Sequence, residues 1–512
     1  MDHSPTTIWE LLAQGQDNAP AISAPDRESL TYAGLRDQVG QTVSFLNQLG
    51  FLPGDRIAIV LPNGPEMATS FISIAADLTT APLNPAYQKA EFEFYLQDLK
   101  ADALLVAGDS TSEALSVARS LNIPILRLLV DPNQPAGSFK IEVEDTGLLR
   151  RESGKGPRLA AEEDQALLLH TSGTTSRPKL VPLTQKNLCA SAGNICETLK
   201  LGPEDICLNI MPLFHIHGLI AAVLSSLRAG ASVFCTPGFN ALQFFSWYSA
   251  AKPTWYTAVP TMHQAILERA SRNSEALAAS RLRFIRSSSA SLPVPVFHEL
   301  ETVFSAPVIE AYGMTEASHQ MTSNLLPPGK RKPGTVGIGI GLEVAILGED
   351  KKFKPAGESG EIVIRGENVT HGYEGNPKAN AESFVDGWFR TGDLGSKDEN
   401  GYLTINGRIK EIINRGGEKV SPREVDDVLM EHPAVQQVVT FSIPHPKLGE
   451  EVAAAVVLRA GMQISEQELR AFARDRLAPF KVPRKILFLT EIPKGATGKL
   501  QRIGLAEKLG LT

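Results

Sequence analysis

The stretch His170-Thr171-Ser172-Gly173-Thr174-Thr175-Ser176-Arg177-Pro178-Lys179 decides how the rest of the chain is read. Five hydroxyl side chains, one glycine and two cations fall in these ten residues, directly after the apolar run 166–169. A short apolar run of this kind reads as a buried strand. A strand feeding such a loop is suited to holding phosphates. Hydroxyls and free backbone N–H groups donate to phosphate oxygens, Gly173 lets the backbone come close, and Arg177 and Lys179 offset charge. The common phosphate loop is excluded, because no glycine precedes a Lys-Ser or Lys-Thr pair at the spacing G-x-x-x-x-G-K-[ST]. Standing alone, a Ser/Thr/Gly cluster is more often a polar surface loop, so its meaning depends on what accompanies it.

At 512 residues the chain is too long for one ordinary core, and two or more domains are expected. An apolar fraction of 43% with 21% charged residues is that of a globular, soluble protein. The formal charge of −7 argues against a general nucleic-acid binder. Cys189, Cys196, Cys207 and Cys235 form no C-x-x-C pair, which disfavours metal ligation and a disulfide framework and suits a reducing compartment. The start of the chain has neither the basic nor the apolar region of a secretory signal, so a cytoplasmic location is expected. The longest apolar stretch, 208–227, is broken by Pro212, His215 and His217 and reads as a buried strand–turn–helix, not a membrane span.

Apolar runs at 56–61, 103–106 and 125–129 alternate with helical stretches such as 32–48 and 66–76. That rhythm predicts helix-covered parallel sheets, the α/β class. After Gly334 the texture changes to short strands at 341–347, 360–365 and 401–405, a β-rich subdomain over about 334–407. A boundary near Gly407 divides an N-terminal domain, 1–407, from a small α+β domain, 408–512. In the latter, helices are predicted over 421–431 and 465–477 and strands over 435–443 and 451–458. Ser421, Pro422 and Glu424 spell a capped helix start. A large and a small domain leave a cleft between them, where ligands often sit.

Five further segments accompany the hydroxyl-rich loop. They are Tyr312-Gly313-Met314-Thr315-Glu316, Trp388-Phe389-Arg390-Thr391-Gly392-Asp393, Gly407-Arg408-Ile409-Lys410-Glu411, 414–422 (NRGGEKVSP) and 493–499 (PKGATGK). In this order and spacing the chain resembles, over nearly its whole length, the adenylate-forming acyl-CoA synthetases, with luciferases and peptide-synthetase adenylation domains. The resemblance implies a large N-terminal domain and a mobile C-terminal one. It also implies ATP, Mg²⁺ and CoA as the small molecules handled with a carboxylic acid. Such chemistry moves AMP onto a carboxylate, giving a mixed anhydride that a thiol can attack. Bringing an anion against a polyanion requires cations and oriented donors.

By the same resemblance, Thr171, Ser172, Gly173, Thr174, Thr175 and Lys179 handle the β- and γ-phosphates. Thr315 contacts the α-phosphate, Glu316 holds Mg²⁺, Tyr312 stacks on adenine, and Asp393 with Arg408 receives the ribose. Lys499, in a Gly/Thr loop, bridges the substrate carboxylate and the α-phosphate; alone it would read as a solvated surface charge. Lys410 matches the hinge of a domain rotation after which Gly416, Gly417 and Lys419 meet CoA. His215 matches a residue gating the thiol tunnel, with a hydrogen-bonded core histidine as the alternative.

The acyl pocket draws on His217, His319, Ser287 and Ser289. Coumarate-type ligases carry an aromatic residue at the position of His217 and proline near that of His319. Two histidines would replace an aromatic wall with hydrogen-bond donors and positive charge. A long acyl chain would leave such groups unsatisfied at roughly 1–3 kcal/mol each. Together with the segment Thr315-Glu316-Ala317-Ser318-His319, this resembles oxalate–CoA ligases and favours a small dicarboxylate such as oxalate. A medium-chain or aromatic acid, or loading of a separate carrier protein, remains the alternative. Two positions depart from the family's loop: Ser176 and Leu180 stand where glycines are usual, and Leu180 is expected to restrict the loop after Lys179.

Overall fold

Most of the apolar runs become strands of two large sheets that share a helical layer. The computed structural model describes residues 4–145, 147, 149, 159–171, 178–495 and 499–511. One sheet has seven strands: Lys140–Val143, Ile125–Leu129, Ala103–Ala107, Arg56–Val60, Thr79–Pro82, Gln165–Thr171 and Lys179–Thr184, in spatial order. The other has nine, in which Val308–Met314, Phe284–Ser287, Trp255–Ala258 and Ile206–Asn209 lie side by side near one end. The central strands of both sheets are parallel. They carry apolar residues at successive positions because both faces are covered.

Three hydrophobic layers explain that covering. Between the sheets lie the helices Pro65–Ala75 and Gln185–Leu199 and the wide-turn helix His217–Leu224, whose Phe71, Leu188 and Leu219 are fully buried. Helices Phe244–Ala251, Pro260–Ala270 and Val294–Phe304 cover the far side of the nine-stranded sheet. Helices Lys89–Leu99 and Glu113–Ser120 cover the far side of the other sheet. Leu180 belongs to this last layer. It is 4% exposed, and its side chain packs in that core.

A third, antiparallel sheet holds Leu342–Leu347, Ser359–Gly366, Phe384–Val385, Trp388–Lys397 and Leu403–Arg408. The last of these lies two or three residues beyond the span read from sequence, because Asp398 and Gly401 close the preceding turn. Beyond it, Ile413–Arg415, Glu418–Val420, Val435–His445, Gly449–Leu458 and Lys485–Phe488 form a separate five-stranded sheet. Helices Pro422–Met430 and Glu466–Arg474 pack on that sheet through Val425, Leu429, Leu469 and Ala473. Ser465 and Glu468 form a reciprocal cap. The cap expected at Ser421 and Glu424 does not form: the Ser421 hydroxyl donates to the Asn406 carbonyl, and Glu424 pairs with Lys481 at 2.6 Å. That diversion ties the start of the helix to the preceding sheet.

The small domain rests on the helix Pro260–Ala270. Gln264 donates to the Gln436 carbonyl at 2.9 Å, and Gln437 donates back to Gln264 at 3.4 Å. Among the described residues all four cysteines are free, and no helix is long and apolar enough to cross a membrane.

Candidate active site

The strand Gln165–Thr171 pairs antiparallel with Lys179–Thr184, setting Thr171 opposite Lys179 at the mouth of the hydroxyl-rich loop. Ser172, Gly173, Thr174 and Thr175 lie outside the described residues. The Lys179 ammonium sits 4.2 Å from the centre of the Tyr373 ring, a cation–π contact. Burial lowers its pKa, Glu316 opposes that shift, and the charge of Lys410 adds to it. Thr315 and Glu316 form a short helical turn directly after the strand Val308–Met314. The Tyr373 hydroxyl donates to Glu316 at 2.8 Å, while burial raises the Glu316 pKa.

Across the cleft, Tyr312 donates to one oxygen of Asp393, and Arg408 donates to the other at 2.8 Å. Asp393 is almost fully buried, on the strand Trp388–Lys397, directly opposite Arg408 in the register. This face therefore alternates in sign, with Lys179 near Glu316 and Arg408 on Asp393.

The second half of the site is built at one end of the parallel strands. His217 opens the wide-turn helix, a backbone form found most often at functional sites. Its Nε2 lies 2.6 Å from Thr257 Oγ1 and its Nδ1 lies 3.0 Å from Ser289 Oγ. His319 packs edge-on against it with ring centres 4.7 Å apart. At Gly313 a side chain is impossible, because a Cβ would stand 1.6 Å from the His319 carbonyl oxygen. That close approach fixes where the His319 ring stands. Ser289, Ser318 and His319 all have positive φ, 73°, 48° and 97°. Such strain costs on the order of 1–3 kcal/mol per residue and clusters at sites that must be rigid.

Burial holds the pKa values of His217 and His319 well below the ordinary histidine value, and neighbouring cations push the same way. Both rings are neutral, which corrects the expectation that they supply positive charge. The charge comes from Arg286, a residue the sequence reading did not single out. Its side chain is fully buried, donates to Gln320 at 3.2 Å and to Thr257 at 3.4 Å, and lies 3.4 Å from His217 Nε2. A charged residue inside the buried strand Phe284–Ser287 was the available signal. Ser287 is also displaced from its expected role. Strand alternation puts it on the face of Ile285 and Ala258, away from His217, whereas Ser289 reaches that ring.

Lys499 joins the two halves. It is half-buried, and its charge acts on His215, His217 and His319, while those of Arg408 and Asp393 act on it. Burial and Arg408 bring its pKa down to about 8. The loop is tied by a hydrogen bond of 2.8 Å from the Gly495 N–H to the Lys499 carbonyl. Arg502, three residues on, pairs with Glu411 at 3.1 Å and Asp426 at 3.0 Å. His215 accepts from the His217 N–H at 3.2 Å, and burial pushes its pKa down to about 3, so it is a neutral ring.

Gly416 and Gly417, both at positive φ, form the turn of the hairpin Ile413–Arg415 to Glu418–Val420. Lys419 on that hairpin pairs with Glu349 at 3.8 Å, so the hairpin points to the antiparallel sheet and not to Lys499. Lys410 follows the strand Leu403–Arg408 in a short turn, Ile409–Glu411, between the third sheet and the small domain's sheet.

Residues 9–374 match the AMP-binding enzyme family and residues 424–499 match the AMP-binding enzyme C-terminal domain. The chain is 46% identical to an oxalate–CoA ligase of Arabidopsis thaliana, over 97% of this chain and 96% of that protein. It is 43% identical to an oxalate–CoA ligase of Saccharomyces cerevisiae, over 96% and 94% respectively. Among solved structures it is similar to ATP-bound MatB from Rhodopseudomonas palustris, with a TM-score of 0.87 and 28% identity over 98% of both chains.

Proposed function

The chain belongs to the AMP-binding enzyme family, and from that premise we propose that it is an ATP-dependent acid–CoA ligase whose acid is oxalate. A carboxylate oxygen attacks the α-phosphorus of ATP, and the bond to pyrophosphate breaks. The CoA thiol, losing its proton, then attacks the acyl carbon, and AMP leaves. The observation that carries the choice of acid is the charge balance of the acyl site. Arg286, Lys499 and three neutral histidines converge there with no carboxylate beside Arg286 among the described residues. A monocarboxylic acid has only one charge, which the reacting end uses. A dicarboxylate brings a second.

In this reading Thr171 and Lys179, with Ser172 to Thr175, hold the outer phosphates, and Thr315 holds the inner one. Tyr312 stacks on adenine beside its bond to Asp393, and Asp393 with Arg408 takes the ribose hydroxyls. Lys499 neutralises charge where acid and α-phosphate meet. Magnesium fits the donor set as a nucleotide-borne ion. Glu316 is a single carboxylate with a neutral tyrosine donor, and no cluster of three ligating side chains occurs among the described residues. Bound there, it would neutralise the phosphates. His215 borders the path of the thiol. A swing about Lys410 would withdraw Lys499 and bring Gly416, Gly417 and Lys419 over the adenylate. The acyl acceptor is free CoA, and the compartment is the cytosol.

The test is direct. With oxalate, ATP and Mg²⁺ the enzyme should release pyrophosphate, and adding CoA should give AMP and a thioester on CoA. No oxalate-dependent pyrophosphate release removes the reading. Thioester formed only on a carrier protein removes the CoA part.

A further inference from the structure

Arginine buried without an anion is expensive, since several kcal/mol of hydration are lost and attraction does not repay them. Arg286 is in that position. It is 0% exposed, in the middle of a parallel strand, and among the described residues no carboxylate pairs with it. Its neighbours are neutral: Thr257, Gln320, His217 and the buried thiol of Cys207. Its Nε makes no hydrogen bond, and neither does the buried Nδ1 of His319. By contrast Arg283, three residues earlier, makes close contacts with both oxygens of Asp205 at 2.7 and 2.5 Å.

The bonding order around Arg286 fixes more than charge. A guanidinium can only donate. Arg286 donates to Thr257 Oγ1 and lies equally close, 3.4 Å, to His217 Nε2, which can meet a donor-only group only as an acceptor. His217 Nε2 is therefore an acceptor, and in a neutral ring the proton sits on Nδ1. That nitrogen faces Ser289, 3.0 Å away. The donor order thus runs from the Arg286 guanidinium through the His217 ring to the Ser289 hydroxyl.

We propose that Arg286 is the specificity-determining positioning residue of this enzyme: its guanidinium, against His217 Nε2, holds that ring as a neutral Nδ1–H donor, and its buried charge selects an acid with a second carboxylate. The inference rests on the oxalate reading given above and names the residue that enforces it. Arg286 acts from behind His217 and does not itself touch the reacting carboxylate. Its effect falls on which acid binds and not on the chemical step.

The experiment compares oxalate with oxamate, its isosteric monoanion, in pyrophosphate release by the wild type, Arg286→Met and Arg286→Lys. Wild type should favour oxalate. R286M should lose on the order of 10²-fold in kcat/KM for oxalate, mostly in KM, as for truncating one member of a buried charge pair, and change little with oxamate. R286K, which restores charge without the planar fork, should recover part of the preference. Equal loss on both acids in R286M, or an unchanged oxalate-to-oxamate ratio, would overturn the inference. Nitrogen-15 NMR of His217 in the wild type gives an answer independent of any variant's folding. Nδ1–H on a neutral ring is expected, and Nε2–H or a protonated ring contradicts it. Failure of the wild type on both acids would count against the oxalate reading, while the NMR result would still decide the tautomer.

Discussion

On the nucleotide side of the site, the ionised groups have partners of opposite sign close by. Asp393 has Arg408 and the Tyr312 hydroxyl, and Glu316 has the Tyr373 hydroxyl and the nearby charge of Lys179. On the acyl side, Arg286 has neutral neighbours, and the field of Lys499 adds positive charge to three rings already neutral through burial. The first arrangement is balanced in itself. The second is unbalanced and is completed by an anion. Recognition of the cosubstrate thus comes from oriented donors already paired, and recognition of the acid from charge left unpaired in a dry, rigid pocket.

The largest way to break this contrast is to remove the group that serves both sides. Lys499→Ala should lower adenylate formation on the order of 10²–10³-fold, the usual cost of one preorganised donor at developing charge. Thioester formation from synthetic acyl-adenylate should be largely spared, because the proposed swing about Lys410 withdraws the lysine in that step. Stopped-flow measurement of each half-reaction separates the two, and equal losses would contradict the assignment.

Next in size is His217→Phe, which restores an aromatic wall and removes the Nδ1 donor. Oxalate kcat/KM should fall roughly 10- to 100-fold, as a neutral donor's hydrogen bond within a charged site, about 1.5–3 kcal/mol, is lost. Hexanoate or coumarate should gain relative to oxalate. ATP affinity should not change, since among the described residues the His217 ring hydrogen-bonds to Thr257 and Ser289. A parallel loss of ATP binding would mean the two sides are one.

A third test uses pH. Burial and Arg408 bring Lys499 to about 8, so its cationic form prevails below that pH and is lost above it. The kcat/KM for adenylation, which reports the free enzyme, should fall about tenfold per unit above pH 8. In Lys499→Arg, whose guanidinium stays charged, the alkaline fall should vanish. An unchanged alkaline limb in that variant would assign the titration elsewhere.

The smallest expected effect belongs to the hairpin. Gly417 has open space around its Cβ position but a φ of 100°, so Gly417→Ala strains the turn by about 1 kcal/mol. A loss of roughly fivefold, confined to the thioester half-reaction, follows from that figure at 1.4 kcal/mol per factor of ten. An equal effect on adenylation would place the hairpin at the site throughout the cycle.

What the sequence disclosed follows the same division. Tyr312, Thr315, Glu316, Asp393 and Arg408 sit in short contiguous segments, where one turn or one strand pair carries the geometry, and so they were readable in line. The strands and helices over 32–48, 56–61 and 125–129 were readable for a related reason, since their apolar pattern is local. The acyl side is assembled from His217, Thr257, Arg286, Ser289 and His319, on three strands, the loop after one of them and a wide-turn helix, far apart in the chain. Spacing along the chain says nothing about which of these touch. Ser287 looked as good as Ser289; they are separated because the strand ends at Ser287 and the chain turns at Ser289, φ 73°, toward the ring. Arg286 sits between Phe284-Ile285 and a serine run, a context that on its own reads as an ordinary surface cation. Leu180, which read as a departure in the nucleotide loop, is explained by the core beneath it.

The account stands or falls on the acid. Steady-state pyrophosphate release by the wild-type enzyme, measured with oxalate, malonate, hexanoate and coumarate at saturating ATP, tests it most directly. Oxalate should give the highest kcat/KM, with malonate next and the two monocarboxylates far behind. A preference for hexanoate or coumarate over oxalate would contradict the claim that unpaired positive charge selects the substrate.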